Sequence, residues 1–148
     1  MKKTILKLTA FLLLFTGFFS SCQKEIPPND PNILITDTKW QLAGFVNAKT
    51  GKLKKVKTDN EKCYTLTFNK DQTLSGFSSF NMLHGSYEMN TAIREIHISV
   101  YAMTSAGEFS DGELFIESLN KVDFFVLQEN ELRLYYNNKQ KYLFFKPW

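Results

Sequence analysis

The sequence predicts a mainly β domain, an antiparallel sandwich or barrel with one buried face, carrying a single short α-helix. Three observations carry this. Apolar residues alternate with polar ones in short runs, the runs recur at roughly ten-residue intervals with turn residues between them, and one stretch alone shifts to helical spacing. Trp40, Leu42, Gly44 and Val46 share one face of the first run, and Tyr64, Leu66 and Phe68 share one face of the next. Ile96, Ile98 and Val100 follow Arg94 and Glu95; then come Val122, Phe124 and Val126, then Leu132, Leu134 and Tyr136, then Leu143 and Phe145. Trp40, Leu66, Phe68, Phe124 and Leu134 are expected to point inward.

Polar turns separate the runs at residues 69–72 and 128–130. Another lies at Asn137-Asn138, where tolerance of left-handed backbone suits a tight hairpin. Residues 47–60 read as a loop or a wide hairpin tip. The helix is expected after Ser110-Asp111-Gly112-Glu113, which has the form of a capping box, because Leu114, Phe115, Leu119 and Val122 fall near helical spacing with Glu117 and Lys121 four apart. A helix of about ten residues is expected there, closing one end of the barrel or packing on the sheet.

The first 21 residues stand outside this pattern. Lys2, Lys3 and Lys7 give a positive start, residues 8–19 are almost wholly apolar, and small residues and Cys22 follow at once. The apolar run is short for a membrane span and has the order of a secretory signal peptide. Phe19-Ser20-Ser21-Cys22 resembles the lipobox of bacterial lipoproteins, with Phe19 where an aliphatic residue is usual. The resemblance implies cleavage before Cys22 and acylation of its thioether, with a lipid anchor in which each buried methylene contributes about 0.8 kcal/mol. Gln23 stands where lipoproteins kept at the inner membrane often carry Asp, which implies the outer membrane, at either its periplasmic or its cell-surface face. Gln23-Lys24-Glu25 is loosely similar to the short charged tags that send some Bacteroidetes lipoproteins to the surface. Residues 22–35, with Pro27, Pro28 and Pro31, read as anchor and extended tether, and residues 36–148 as the domain.

Composition narrows the function classes. The 148 residues are 43% hydrophobic and 15% aromatic, with 18 Lys and Arg against 15 Asp and Glu. Loss of the three leader lysines makes the mature chain formally neutral, so nothing in its charge recommends nucleic acid as a partner. Two cysteines cannot build a disulfide framework or a four-cysteine zinc site, and neither His84 nor His97 stands in metal-ligand spacing, so no cofactor or metal is expected. His97 should point away from the core and His84 should lie in a turn. Cys63 is expected to be a small, partly buried strand residue. No nucleophile elbow or phosphate-binding loop is present, and Glu88, Glu95, Glu108, Asp111 and Asp123 read as scattered surface acids rather than a glycosidase pair. A non-catalytic protein is expected.

The order Trp40-Gln41-Leu42, residues 64–68, Gly76-Phe77-Ser78-Ser79-Phe80-Asn81, Gly85-Ser86-Tyr87, Met103-Thr104, residues 113–119 and Leu132-Arg133-Leu134 resembles the META/HslJ-like domains of bacterial envelopes over residues 38–146. The resemblance implies a mixed β-barrel of lipocalin-like topology with one helix, and an association with envelope stress and antibiotic tolerance rather than a defined reaction. Many such domains have a cysteine before the central asparagine, where this chain has Phe80, and a second where it has Thr104 and Ser105; the disulfide they could form is absent. Among the matched residues Trp40, Gly76, Asn81, Gly85 and Tyr87 are expected to be structural. The two glycines would serve bends or close backbone approach, and Asn81 would hold a turn by bonding neighbouring backbone.

Two surface features remain. Lys49, Lys52, Lys54, Lys55 and Lys57 place five cations within nine residues. They read as solvated loop charge, as a contact for anionic lipid or lipopolysaccharide phosphates, or as a dock for an acidic envelope protein. Phe125, Tyr135 and Phe144 would lie on the face opposite the core, covered or exposed as a binding patch. Two functions follow: an outer-membrane interaction or structural module, or a lipocalin-like carrier of a small apolar ligand. A carrier needs an interior left partly empty.

Overall fold

A computed structural model describes residues 34–57, 60–103, 107–128 and 130–148. Its strands are β1 Lys39–Asn47, β2 Leu53–Lys55, β3 Thr65–Phe68, β4 Thr73–Phe77, β5 Met82–Asn90 and β6 Glu95–Ala102, followed by helix α1 Gly112–Leu119 and then β7 Val122–Gln128, β8 Glu131–Tyr136 and β9 Lys141–Pro147. They form one antiparallel sheet in which β3 to β9 follow in sequence order and β9 returns to pair with β1. Eight strands thus close into a ring; its narrowest joint is β6 to β7, paired at Glu95 and Phe124, and further along β6 the Asn120 side chain takes up the Val100 N–H and carbonyl. The short β2 lies outside the ring on β1, Gly44 opposite Lys55 and Val46 opposite Leu53. Part of the expected loop is therefore strand: Asn47 Oδ1 accepts from the N–H groups of Lys49 and Thr50, and Gly51 takes a φ of 70° to complete the hairpin.

The alternation works inside the ring as the sequence pattern requires. Leu66, Phe68, Ile96, Leu132, Leu134, Leu143 and Phe145 are fully buried in one cluster with Trp40, Tyr64, Ile98 and Val100. Helix α1 adds Phe115 and Leu119, both at 0% exposure, and the Phe115 ring meets Tyr64 edge-on at 5.6 Å and Phe145 at 6.1 Å. Ile35, assigned to the tether by its sequence, also packs in this core, and its carbonyl accepts the Trp40 indole N–H at 3.0 Å.

Two bulges shift the phase where period-two reading expected none. Between Leu42 and Gly44 the register against β9 skips Ala43, so Phe45 rather than Gly44 and Val46 joins Trp40 and Leu42 in the main core. Between Val122 and Phe124 the register against β8 skips Asp123, and Phe125 and Leu127 turn inward instead of Phe124 and Val126. Phe124 and Val126 pack outside with Tyr135, flanked by Ala48 and Tyr142. Of the outer face assigned by sequence to Phe125, Tyr135 and Phe144, Tyr135 is thus covered, Phe125 has turned into the core and Phe144 is half-buried, while Arg94 and Lys139 lie over the Phe124 ring. Each bulge inserts one residue, and a one-residue slip exchanges the two faces of a strand.

The turns follow their residue chemistry. Asn137, Asn138 and Lys139 all take left-handed φ values of 53° to 61°. Gln72 does the same in the β3–β4 turn, where Asp71 accepts from the Thr73 N–H at 3.0 Å and its hydroxyl at 2.7 Å. Glu129, in the turn expected at 128–130, lies outside the described residues. Helix α1 runs eight residues and begins after Asp111, whose side chain makes no cap hydrogen bond; Ser110 sits one residue earlier with a φ of 53°. The capping box is thus not formed, although Glu117 and Lys121 pair at 3.5 Å as their spacing requires.

Candidate functional site

The end of the ring where α1 enters gathers the polar chemistry. The β4–β5 connection is a tight turn in which Ser78 and Asn81 exchange bonds: the Ser78 N–H donates to the Asn81 carbonyl, and the Asn81 N–H to Ser78 Oγ, both at 2.9 Å. The chain before α1 crosses this turn and sets the Glu108 carboxylate on it. Ser78 Oγ donates to Glu108 Oε1 at 2.6 Å, Ser79 Oγ to Oε2 at 2.5 Å, and Asn81 Nδ2 to Oε1 at 2.7 Å. Ser79 Oγ also accepts the Phe109 N–H at 2.9 Å, and its carbonyl accepts the Cys63 thiol at 3.1 Å. Burial by itself pushes the Glu108 carboxyl up, but the three donors outweigh it and hold the group below the usual glutamate value. The carboxylate stays ionised and is occupied at both oxygens.

A neighbouring contact fixes α1 from the other side. Lys54 Nζ lies 2.5 Å from Asp111 Oδ1, joining the β2 lysines to the start of the helix. The Asp111 N–H points to the Tyr64 hydroxyl at 3.3 Å, and burial pushes that phenol above its ordinary value, so it remains a neutral hydroxyl. Glu108 and Asp111, read as scattered surface acids, therefore tie the one segment before α1 to the β4–β5 turn and to β2 respectively.

The other residues singled out by sequence take varied places. Gly76 and Gly85 lie within strands, not bends: a Cβ at either would collide with the backbone of the adjoining strand, at Thr65 and at Ser99. Asn81 is 1% exposed and its side chain reaches Glu108, 27 residues away, rather than neighbouring backbone alone. The Tyr87 hydroxyl donates to the Asn69 carbonyl at 2.7 Å, and its ring packs edge-on against Phe68. Cys63 stands in the turn before β3, partly buried and free. His97 points outward and meets Glu95 at 3.3 Å, while His84 lies within β5 rather than in a turn. Lys49, Lys52, Lys55 and Lys57 are exposed with Lys54 along the β1–β2 hairpin and the residues after it. Cys22, Thr104 and Ser105 lie outside the described residues.

One feature escaped the sequence reading. Phe80, Met82, Tyr101, Met103 and Phe109 are each at least half exposed. Met82 and Met103 are cross-strand neighbours, with the Met103 N–H on the Met82 carbonyl at 2.9 Å; the next outward pair, His84 and Tyr101, has ring centres 6.1 Å apart. Phe80 and Phe109 meet edge-on at 5.4 Å. The signal was present: with Leu83, Ile98 and Val100 inside, alternation puts Met82, Tyr101 and Met103 on the solvent side.

A shallow depression of about 240 Å³ on the outside of β5 and β6 is lined by Ser86, Tyr87, Glu88, His97, Ile98 and Ser99. Among the described residues, no group of three or more His, Cys, Asp or Glu comes together to hold a metal.

Comparison with known proteins fits this closed sheet with its single helix. The META domain model matches residues 34–147. The chain belongs to the META domain family. A protein of Tannerella forsythia named "Putative lipoprotein" is 32% identical over 145 residues, 98% of this chain and 96% of its own length, so the likeness runs through the leader as well as the META domain. Together with the leader, this makes the chain a META-domain lipoprotein, associated with a membrane through a lipid anchor. A crystal structure of a DUF4847 family protein from Bacteroides vulgatus superposes with a TM-score of 0.62 at 19% identity, over 76% of this chain and 94% of that one. A structure determined by NMR gives 0.51 at 22% identity, over 74% and 88%. These two share the fold of the META domain.

Proposed function

We propose that this protein is a non-catalytic lipoprotein of the outer membrane, held by acyl chains on Cys22, whose META domain serves as an interaction and structural module of the envelope and contributes to envelope stress tolerance. The observation that carries the reading is the filled interior. Trp40, Tyr64, Phe68, Phe115, Phe125 and Phe145 are all under 2% exposed, and α1 seats Phe115 among them. A ring packed in this way offers a small apolar ligand no room without opening, which favours a module acting through its outside over a carrier. The polar cluster supports the same view. A general acid or nucleophile needs a group free to meet substrate, whereas both Glu108 oxygens are engaged by Ser78, Ser79 and Asn81.

Fractionation tests the anchor and the address together. In cells making the full chain, the wild type is expected in the outer-membrane fraction carrying labelled palmitate, and Cys22→Ala is expected to lose both the label and the membrane. A Cys22→Ala protein that stays in the membrane would refute the anchor, and wild type in the inner membrane would refute the address.

A further inference from the structure

The exposed aromatic and methionine face stands beside the lysine hairpin, and both lie at one end of the ring. Strand register fixes this: Thr65, Phe77 and Met82 are successive partners across β3, β4 and β5, and β1 runs on past Thr65 to pair with β2. The Lys54–Asp111 contact then brings β2 to within two residues of Phe109. At this end Glu108 and Asp111 are taken up by their partners, and the exposed Glu61 and Glu113 offset only part of the charge of the five hairpin lysines. Among the described residues Lys49, Lys52, Lys55 and Lys57 make no ion pair.

We propose that this end of the domain lies on an anionic phospholipid bilayer, the one that holds the acyl anchor. Phe80, Met82, Met103 and Phe109 enter the boundary between headgroups and acyl chains, and Lys52, Lys55 and Lys57 meet anionic headgroups. The inference rests on the anchored reading above and adds an orientation to it. A monomer seldom leaves so contiguous an apolar face in water, and aromatic side chains with flanking lysines suit a membrane interface. The chain between Cys22 and Leu34 spans at most about 40 Å, and a domain of this size is about 35 Å across, so the tether is long enough to leave the domain a wide choice of orientation on the bilayer. Tethering raises the effective concentration of bilayer at the domain to the order of millimolar, so a face of weak intrinsic affinity stays docked.

The test uses the full acylated chain reconstituted in vesicles of phosphatidylethanolamine with about one part in four phosphatidylglycerol. In a Cys63→Ser background, a spin label is placed at Met82→Cys on the face, or at Thr91→Cys in the turn at the far end of β5. The expected result is a label at 82 relaxed by oxygen in preference to a water-soluble nickel complex, and the reverse preference at 91. Replacing Lys52, Lys55 and Lys57 by Gln should lower the equilibrium constant for docking about a hundredfold, since each lysine near such a surface is worth a factor of about five. A label at 82 that stays accessible to nickel while the chain sediments with the vesicles would overturn the docking and leave the anchor intact. So would a label shielded from both reagents in detergent as well as in vesicles, which means that protein covers the face. A chain that fails to sediment with the vesicles would overturn the anchored reading and this orientation with it.

Discussion

Removing the Glu108 carboxylate should release the segment before α1 from the β4–β5 turn. In Glu108→Ala, three hydrogen bonds of 2.5–2.7 Å lose their charged acceptor. Ser79 is only partly buried and can turn to water, and Ser78 Oγ can fall back on the Asn81 carbonyl, 3.2 Å away. The Asn81 amide, 1% exposed, has the most to lose, because a buried donor deprived of a charged acceptor costs about 1.5–3 kcal/mol. Adding a smaller contribution from the serines gives roughly 2–4 kcal/mol, which in a domain of this size lowers Tm by about 8–15 °C. Glu108→Gln keeps one acceptor and the volume, and should lose about half as much. The pH dependence carries the sign. A carboxyl whose folded pKa is depressed contributes stability that is fully present above its unfolded value of about 4.3 and is lost as pH falls through the lower folded value. The stability gap between wild type and Glu108→Gln is therefore widest above about pH 5 and closes in more acid solution. Urea unfolding of both variants across this range reads it directly. A Glu108→Ala protein within about 0.5 kcal/mol of wild type, or a gap that does not close in acid, would refute the carboxylate as the link between the two loops.

Three further substitutions test the packing and the backbone. Phe115→Ala removes a fully buried ring that touches Tyr64 and Phe145, and should cost about 3–5 kcal/mol by chemical unfolding while the far-UV β signal of the folded protein persists. Gly85→Ala forces a Cβ into the Ser99 carbonyl of β6 and should cost about 2 kcal/mol or more, whereas Gly51→Ala, in open space at positive φ, should cost about 1 kcal/mol; comparison of their midpoints separates collision from backbone strain.

The fold was legible wherever one face of a strand is buried without interruption. Leu66 and Phe68, Ile96 to Val100, Leu132 to Tyr136, and Leu143 with Phe145 all went where their alternation placed them. The errors cluster at two bulges, because nothing in the residues Ala43 or Asp123 announces an inserted position, and the slip then misassigned Val46, Phe124 and Phe125 together. The helix was found from Phe115 and Leu119, but its start was misplaced, since Ser110 adopts left-handed backbone instead of capping. The polar cluster was not legible. Glu108 lies 27 to 30 residues from its three donors, and no local pattern distinguishes a carboxylate folded onto a turn from one in water.

The composition of that cluster bears on how the domain holds its open end. The Phe80 ring is exposed against Phe109 while its neighbours Ser78, Ser79 and Asn81 grip Glu108. The β4–β5 turn and the segment before α1 are thus joined by a carboxylate and a ring pair. Such a link opens with acid rather than with reductant, and its strength depends on keeping Asn81 dry. It also places two apolar rings at the surface, so the contact that closes the loop is continuous with the face proposed to meet the bilayer. Stability at this end and apolar exposure beside it therefore come from neighbouring residues of the same two segments, and a change made to tighten the loop would be expected to alter the surface as well.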